Sequence, residues 1–356
     1  MTDRSRDPAS LYVDGMVPRG DPRSAVWNLI RGPWRFAAVH ALVTLGVFGH
    51  LAAGPLLVPD LAACCGADPA MLERLLRCAA GTCLLAQPSP GCYTLTSDGR
   101  VLVPGVPGSM HPAVLATGQE AGWQALTGLA GTARTGQAAF TAQQGHGFYE
   151  YLAAHPADAQ IFAEFMTSRS ADVAAVIAGL DFTDTTVVAD IGGGHGTILA
   201  AILAAHPHLH GILFDRSHVL AGAHSQFAAG VAERTELAAG DYLDGPLPPA
   251  GTYLLANILH NHNDADARVI LGNIRAATPS GPRIVLADIL LPSHPAAHIG
   301  CDLDVRMMAL GTGRERTRAA YLALLGDVGF TSTEIIGTPY GLSIIDARPT
   351  VGESGS

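Results

Sequence analysis

The residues best suited to chemistry stand at the ends of apolar runs in the second half of the chain. Asp190 ends "TVVAD", Asp215 ends "GILFD", Asp241 follows "TELAAG", and His260 follows "LLANIL". Parallel strands of one sheet bring their carboxyl ends to a common edge, so these side chains are predicted to surround one cleft. Carboxylates accept hydrogen bonds from hydroxyl and amino groups, and a neutral imidazole accepts a proton near neutral pH.

A glycine-rich loop, "IGGGHG", joins Asp190 to the next predicted helix. Glycines let the backbone pass close to a ligand at the edge of the sheet. The dinucleotide fingerprint G-x-G-x-x-G does not fit, because counting from Gly192 and Gly194 the third position is Thr197. The loop has no Lys or Arg for phosphates. An acid placed before G-x-G-x-G suits the cationic amino acid end of S-adenosylmethionine.

The following strand ends complete the predicted cofactor site. Asp215 comes about 25 residues after Asp190, where an acid usually bonds a ribose diol. Asp241 is placed to accept from an adenine amine, and Tyr242 to stack on the ring. A generic α/β turn with strand-end acids and a nicotinamide or flavin site are the alternatives left open. The predicted cofactor contacts are Asp190, Gly192, Gly194, Asp215, Arg216, Gly240, Asp241, Tyr242 and Asn257.

The two halves of the chain differ in periodicity. From Thr185 onward, strands and helices alternate, which predicts a mostly parallel sheet with helices on both faces. The first half is helical and ends in a small β element. The predicted fold class is therefore mixed: a mainly α-helical, winged-helix-like N-terminal domain and an α/β Rossmann-like C-terminal domain. The predicted boundaries are 20–111 for the first domain, 112–175 for connecting helices that contribute to the substrate pocket, and 176–350 for the cofactor-binding domain.

Two local signals carry the winged-helix prediction. "GADP" predicts a turn followed by a helix that Asp68 caps and Pro69 begins. "GCYTLTSDGRVL" alternates and contains "SDG", which predicts a hairpin turning at those residues. The second helix offers only Arg74 and Arg77 to a nucleic acid, so its apolar surface suits a dimer interface better.

Composition excludes several classes of function. The net charge is −10 and no Lys/Arg run appears, which argues against nucleic-acid binding. The apolar segment "FAAVHALVTLGVFGHLAAGPLLV" contains His, Thr, Gly and Pro, so a buried helix is expected rather than a membrane span. "MTDRSRDPAS" lacks the apolar region of a signal peptide, and the six cysteines form no C-x-x-C pair. These features predict a cytoplasmic protein with free thiols. Neither "HNH" nor "HPHLHG" has metal-ligand spacing, so no metal is expected.

Over nearly its full length, the chain resembles the small-molecule O-methyltransferases that include plant caffeic acid methyltransferases and bacterial tailoring enzymes of aromatic polyketide and phenazine-type pathways. The matching segments, in order, are "LAAGPLLVPDLAACCGADPAMLERLLRCAA", "GCYTLTSDG", "GFYEYLAAHP", "ADIGGGHG", "GDYL", "ILHNHND", "RIVLADILLP" and "GRERT". The resemblance implies a homodimer formed through the N-terminal domain, S-adenosylmethionine as cofactor and S-adenosylhomocysteine as product.

The resemblance also implies a catalytic group. His260 falls on the histidine of the family's "LHDW" motif, which removes the acceptor proton. Asp288 and Glu315 fall on the two acids that orient this imidazole, although plant enzymes carry Glu where this chain has Asp288. Without the resemblance, His260 would be interpreted as a strand-end histidine bonded to backbone.

By family position, the acceptor pocket is lined by Phe148, Tyr149, Met166, Asn261, Arg306 and Met307. An aromatic and thioether lining suits a flat aromatic ligand. The chain departs from the family pattern with Ala256 in place of Lys, Asn261 in place of Asp and His262 in place of Trp. The predicted function is O-methylation of an aromatic natural product. The alternatives are N-methylation or cofactor-assisted hydroxylation on the same fold, and a non-enzymatic winged-helix ligand-sensing regulator.

Overall fold

The computed structural model describes residues 12–13, 17–18, 21, 23–223, 227–278, 281–339 and 341–350. Tertiary contacts divide the chain into two compact units, Met1–Gly118 and Gln119–Ser356. The segment "MTDRSRDPAS", in which no targeting signal was found, lies outside the described residues. The three-part division at 111 and 175 stays a prediction.

The first unit is mainly helical and has one core. Apolar residues of α1, α3 and α4, among them Leu42, Leu61 and Leu76, are fully buried together with Tyr93. The elements of this unit are β1 (Tyr12–Val13), β2 (Val17–Pro18), α1 (Arg23–Thr44), α2 (Val47–His50), β3 (Leu56–Leu57), α3 (Val58–Cys65), α4 (Pro69–Ala80), β4 (Leu85–Ser89), β5 (Cys92–Leu95) and α5 (His111–Thr117).

The turn between α3 and α4 forms as the sequence predicts. Gly66 ends α3 in the left-handed region with φ 64°. The Asp68 carboxylate accepts the Met71 N–H at 2.9 Å, which satisfies one of the free backbone donors at the start of α4. Pro69 follows in the first helical position, where its missing N–H has no cost.

The predicted hairpin at "SDG" is wrong. β5 pairs with β4, which precedes it, and that turn lies at Pro90 and Gly91. "SDG" instead leads into a 3-10 turn over Gly99–Leu102. The alternation in "GCYTL" correctly indicates a strand, but its partner lies before it in the chain. A Cβ on Gly99 would lie 1.9 Å from the Leu84 carbonyl oxygen, so the backbone approaches too closely for any other residue.

Helix α1 is the longest element of the first unit. Among the described residues no single helix is long and apolar enough to cross a membrane. The pair Arg23–Thr44 and Val47–Ala53, bent by 60°, meets the length and composition requirement together.

The second unit begins with five helices and continues with alternating strands and helices. Its elements are α6 (Glu120–Ala125), α7 (Leu129–Thr135), α8 (Ala139–Gln144), α9 (Phe148–Ala154), α10 (Pro156–Ala178), β6 (Val187–Ile191), α11 (Thr197–Ala205), β7 (His210–Asp215), α12 (Ser217–Leu220), α13 (Ala229–Ala232), β8 (Thr235–Ala239), β9 (Thr252–Ala256), α14 (Asp264–Ala277), β10 (Arg283–Asp288), β11 (Leu290–Leu291), α15 (Ile299–Leu310), β12 (Arg316–Thr317), α16 (Arg318–Asp327), β13 (Phe330–Gly337) and β14 (Ser343–Pro349).

The central sheet has seven strands in the order β13-β14-β10-β9-β6-β7-β8. Strands β10, β9, β6, β7 and β8 run parallel, whereas β14 runs antiparallel to both of its neighbours. The predicted fold class, a helical N-terminal domain and an α/β domain with a mostly parallel sheet, is confirmed. The carboxyl ends of β6, β7 and β8 carry the polar residues that the sequence marked.

Both faces of this sheet are covered. Along β6, Ala189 and Ile191 pack into one apolar cluster, while Val188 packs into the other. This alternation follows from the two-residue period of a strand, and it explains why β6 is apolar throughout up to Asp190. At the opposite edge Arg283 pairs with Asp346, a buried ion pair that ties β10 to β14.

Candidate active site

The loop after β6 brings backbone rather than side chains to the edge of the sheet. Gly192 and Gly194 have φ of 66° and 60°, in the left-handed region that favours glycine. A Cβ on Gly192 would lie 2.5 Å from Ile258 Cδ1, so a larger residue would displace the segment that follows β9. This loop therefore leaves room for a ligand over the ends of β6 and β9.

Asp190 lies beneath this loop with 2% of its surface exposed. Burial, and then the negative charge of Asp215, raise the pKa of Asp190 to about 7. A carboxylate in that state is costly without a cationic partner, and none is present in the described chain around it. Asp190 is therefore suited to a ligand with a cationic group.

The two other strand-end acids are held by backbone N–H groups. Asp215 accepts from Gly194 N–H at 2.9 Å and from Arg216 N–H at 2.7 Å, and burial raises its pKa. Asp241 accepts from Leu243 N–H at 2.9 Å and pairs with the Arg216 guanidinium at 3.2 Å. Each carboxylate keeps lone pairs for a ligand while its position is fixed.

Tyr242 and His262 form a pair beside these acids. The Tyr242 hydroxyl lies 3.0 Å from His262 Nε2, and the two rings meet edge to face at 5.4 Å. Burial lowers the pKa of His262 to about 4, so its imidazole is neutral at pH 7 and accepts the tyrosine O–H. Asn273 holds the other side of this turn by donating to the Tyr242 carbonyl at 2.9 Å. His262, the residue that departs from the family's Trp, thus fixes the orientation of Tyr242.

Asn257 has the least satisfied side chain at this edge. It lies directly after β9 with φ of 56°, is 3% exposed, and donates its backbone N–H to Ala287 at 2.9 Å. Neither its amide nitrogen nor its amide oxygen has a partner among the described atoms. A buried amide of this kind is suited to a ligand that both accepts and donates hydrogen bonds.

These residues line one pocket of about 430 Å³. That volume lies within the range of cofactor and small-molecule sites. Of the residues predicted from the sequence, those that line it are Tyr149, Met166, Asp190, Gly192, Gly194, Asp215, Arg216, Gly240, Asp241, Tyr242, Asn257 and Asn261. Phe148, His260, Asp288, Arg306, Met307 and Glu315 do not line it.

His260 adjoins the pocket through Asn261, its neighbour in the 3-10 turn Leu259–Asn261. Its Nδ1 donates to Glu315 Oε1 at 2.8 Å, and both residues are buried, with 8% and 1% exposure. A hydrogen bond at Nδ1 places the lone pair of the neutral imidazole on Nε2. Glu315 is itself fixed, because its N–H donates to Asp304 Oδ1 at 2.8 Å.

Asp288 lies at the end of β10 without a hydrogen bond to His260. Neither of its carboxylate oxygens has a partner among the described atoms, although it is 1% exposed. Burial raises the pKa of Asp288 to about 6, and the charge of His260 opposes that rise. Asp288 therefore acts on His260 through charge alone in this structure, in agreement with its shorter side chain.

The sequence analysis missed the residue that holds this turn together. Arg316, with 2% exposure, donates to the carbonyls of Leu259 and His262, each at 2.7 Å, and to Asp264 Oδ1 at 2.9 Å. The Arg314 N–H donates to the His260 carbonyl at 2.8 Å. The sequence offers no local signal for this role, because in "GRERT" Arg314 and Arg316 are expected at most as ion-pair partners of Glu315.

Two histidines of "HPHLHG", outside the pocket, are bonded to backbone. His206 and His208 bond the carbonyls of Ala178 at 2.9 Å and Phe182 at 3.2 Å. Within the part of the chain that the structure describes, no group of three His, Cys, Asp or Glu is arranged to hold a metal ion.

Comparison with known families finds a matching family for each of the two units. The O-methyltransferase domain family matches residues 123–331, and the O-methyltransferase dimerisation domain family matches residues 27–105. The chain is 32% identical to a phenazine O-methyltransferase of Lysobacter antibioticus over 94% of this chain and 98% of the relative. It is 33% identical to an 8-amino-8-demethylriboflavin N,N-dimethyltransferase of Streptomyces davaonensis, over 88% and 92% of the two chains.

A solved structure shows which ligands a similar protein binds. An O-methyltransferase from neocarzinostatin biosynthesis, in complex with S-adenosylmethionine and 2-hydroxy-5-methyl naphthoic acid, matches with a TM-score of 0.77 and 29% identity. The match covers 88% of this chain and 95% of that chain.

The pKa of Asp288 makes a prediction about stability. Its folded-state pKa of about 6 exceeds the ordinary value of 3.8. Ionisation of Asp288 above pH about 6 therefore lowers the free energy of unfolding. We expect Asp288→Asn, which is neutral at every pH, to stabilise the protein at pH 8 by about 1–3 kcal/mol. The gain should shrink as the pH falls through about 6, because wild-type Asp288 is then protonated in the folded state.

Urea unfolding at several pH values measures this effect. Asp327→Asn is the control, since Asp327 forms an exposed ion pair with Arg268. The prediction would be refuted if Asp288→Asn were less stable than the wild type at pH 8, or if its gain in stability did not depend on pH.

The Tyr242–His262 hydrogen bond predicts a binding effect. Tyr242→Phe keeps the ring and removes the hydroxyl, so we expect the KM for S-adenosylmethionine to rise about 5-fold, the value of one hydrogen bond, while kcat changes little. His262→Ala should act alike, and the double variant should raise KM no more than the larger of the two single changes. Steady-state kinetics measures this, with exposed His210→Ala as control. Fully additive losses would contradict the coupling.

Proposed function

The chain belongs to the family of S-adenosylmethionine-dependent O-methyltransferases that carry an N-terminal dimerisation domain, and we propose that it methylates a hydroxyl group of an aromatic secondary metabolite with His260 as general base. The observation that supports this proposal most strongly is the buried 2.8 Å hydrogen bond between His260 and Glu315 beside the pocket. A carboxylate on Nδ1 fixes the tautomer that accepts a proton at Nε2, and it stabilises the imidazolium that then forms.

S-Adenosylmethionine, when bound, supplies an electrophilic methyl group and leaves as S-adenosylhomocysteine. The acceptor oxygen loses its proton to His260 Nε2 as the oxygen–carbon bond forms. Glu315 holds the imidazole in place, and the charge of Asp288 favours its protonated form. The remaining contribution is positioning, because the acceptor must lie in line with the methyl group.

The residues present fit this cofactor. Asp190 offers a buried carboxylate for its cationic amino acid end, and the unpartnered amide of Asn257 offers a donor and an acceptor at the same edge. We assign the ribose to Asp215 and the adenine to Asp241 and Tyr242, whose ring His262 orients. Gly192, Gly194, Gly240 and Arg216 complete the proposed cofactor contacts. The proposed acceptor contacts are Phe148, Tyr149, Met166, Asn261, Arg306 and Met307.

The proposed base predicts a large effect on turnover. His260→Ala should lower kcat about 10²–10⁴-fold, the usual contribution of a general base, with little change in cofactor affinity. A panel of hydroxylated aromatics read by mass measures turnover, and it distinguishes addition of CH₂ from addition of oxygen. Calorimetry with S-adenosylhomocysteine measures the retained cofactor site.

Exposed His210→Ala is the control for the loss of an imidazole. Near-wild-type turnover in His260→Ala would contradict the base and favour catalysis by positioning alone. Failure of the wild-type protein to bind S-adenosylhomocysteine would contradict the cofactor.

We further propose that a stripe on α1 forms the homodimer. Val26, Leu29, Ile30 and Trp34 follow one another at helical spacing and are 56%, 77%, 43% and 63% exposed. A contiguous exposed apolar stripe on a helix favours an interface, and the dimerisation domain match spans most of this helix. A second copy would cover this apolar face. We also propose that the protein is cytoplasmic.

The dimer proposal predicts a change of mass in solution. We expect the wild type to elute as a dimer and the double variant Leu29→Glu, Trp34→Glu as a monomer, because each charge would be buried without a partner. Light scattering after size exclusion measures this. Val269→Glu on α14, where Val269 is 46% exposed, is the control and should remain dimeric. A monomeric wild type, or a dimeric double variant, would reject this surface.

A further inference from the structure

Three half-buried arginines of the second unit make no hydrogen bond or ion pair with the described residues: Arg275 lies over the Phe330 ring, and the other two are Arg169 and Arg306. Arg169 lies on α10 and Arg306 on α15. Among the described residues neither makes a hydrogen bond or an ion pair. The fully buried arginines of the same unit behave differently, since Arg283 pairs with Asp346 and Arg316 with Asp264. A guanidinium has five N–H donors, and among the described residues no nitrogen of Arg169 or Arg306 is both fully buried and unpartnered, so their donors can reach a ligand.

The two guanidinium groups lie on the same side of α10. The Arg306 guanidinium carbon lies 6.0 Å from the ring centre of Phe165, at the limit of a cation–π contact. Phe165 precedes Arg169 by four residues, so the two share one face of the helix. Met166, one turn before Arg169, lines the cofactor pocket. Neither arginine lines the pocket itself, but Arg169 adjoins it through Met166 and Ser170, which do.

The surrounding charges point to the same position. Burial lowers the pKa of Arg306, and the positive charge of Arg169 lowers it further. Burial also lowers the pKa of Arg169, against the charges of Glu315 and Asp288, which raise it. Arg169 is thus near the acids that support His260, yet it has no direct ion pair with either. An anion between the two guanidinium groups would relieve their repulsion and supply the missing acceptors.

We propose that Arg169 and Arg306 bind a carboxylate on the acceptor, so that the substrate is an aromatic hydroxy acid rather than a neutral phenol. This inference rests on the proposed function. A guanidinium binds a carboxylate through two parallel hydrogen bonds, which fixes the plane of the attached ring as well as its charge. The acid group held by the arginines would orient the ring so that its hydroxyl group faces His260.

The test measures binding to the full-length protein loaded with S-adenosylhomocysteine. The probes are xinafoic acid, a hydroxynaphthoic acid, and its methyl ester, which keeps the ring and hydroxyl group but has no charge. We expect the acid to bind at least about 10-fold more tightly than the ester, which corresponds to about 1.4 kcal/mol. Arg306→Gln and Arg169→Gln should each remove most of this preference by weakening the acid and leaving the ester unchanged.

Two further variants separate charge from structure. Arg306→Lys keeps the positive charge and should retain part of the preference for the acid, whereas a purely structural role would not distinguish the acid from the ester. Arg134→Gln, an exposed arginine on α7, should bind both probes as the wild type does.

Several outcomes would overturn the subsite. In the wild type, equal affinity for the acid and the ester would do so, as would the absence of saturable binding of the acid. In the two Gln variants, an unchanged preference for the acid would do so, as would an equal loss of affinity for the acid and the ester. Loss of S-adenosylhomocysteine binding in the wild type is a separate result that contradicts the proposed function instead. In that case the affinities of the acid and the ester, measured without S-adenosylhomocysteine, still test whether Arg169 and Arg306 bind the carboxylate.

Discussion

The site depends on how the segment around Glu315 holds the turn that carries His260. Three consecutive residues of this segment act on the turn: the Arg314 N–H bonds the His260 carbonyl, Glu315 bonds its imidazole, and Arg316 bonds the carbonyls on either side. A short 3-10 turn leaves carbonyls without partners inside the turn itself. The cationic side chain of Arg316 supplies donors for two of them, and its charge is balanced by Asp264 at the start of α14. His260, the proposed base, is therefore oriented by backbone contacts as well as by the carboxylate.

This arrangement concentrates negative charge in a buried volume. Glu315 and Asp288 are almost fully buried, and only Glu315 has a direct bond to the imidazole. The unbonded Asp288 costs stability when ionised, which is the expected signature of a group kept for function rather than for folding. In the proposed mechanism, the charge of Asp288 stabilises His260 when it gains a proton, because the imidazolium then lies between two acids, Asp288 and Glu315.

The cofactor side of the site was largely predictable from the sequence, because it is built from local features. Asp190 and Asp215 end apolar strands, the glycines after β6 allow left-handed backbone, and the Asn263 side chain caps α14 by accepting the Asp266 N–H at 3.0 Å. Such features are set by neighbours in the chain. The hairpin prediction at "SDG" was wrong because strand pairing is not set by neighbours in the chain alone. β5 pairs with β4, which precedes it, rather than with a strand after "SDG".

The acceptor side was less predictable, because its residues come from helices that meet only in the fold. Arg316 lies more than fifty residues from the turn that it bonds, and nothing in its immediate sequence indicates that it is buried and fully paired. Arg306 is expected in the acceptor pocket by family position, whereas nothing in the sequence marks Arg169; both are half-buried and make no hydrogen bond or ion pair with the described residues. In the proposed mechanism the cofactor contacts and the base lie at strand ends and one turn, whereas most of the proposed acceptor contacts lie on α9, α10 and α15. The relatives of this chain include both an O-methyltransferase and an N,N-dimethyltransferase.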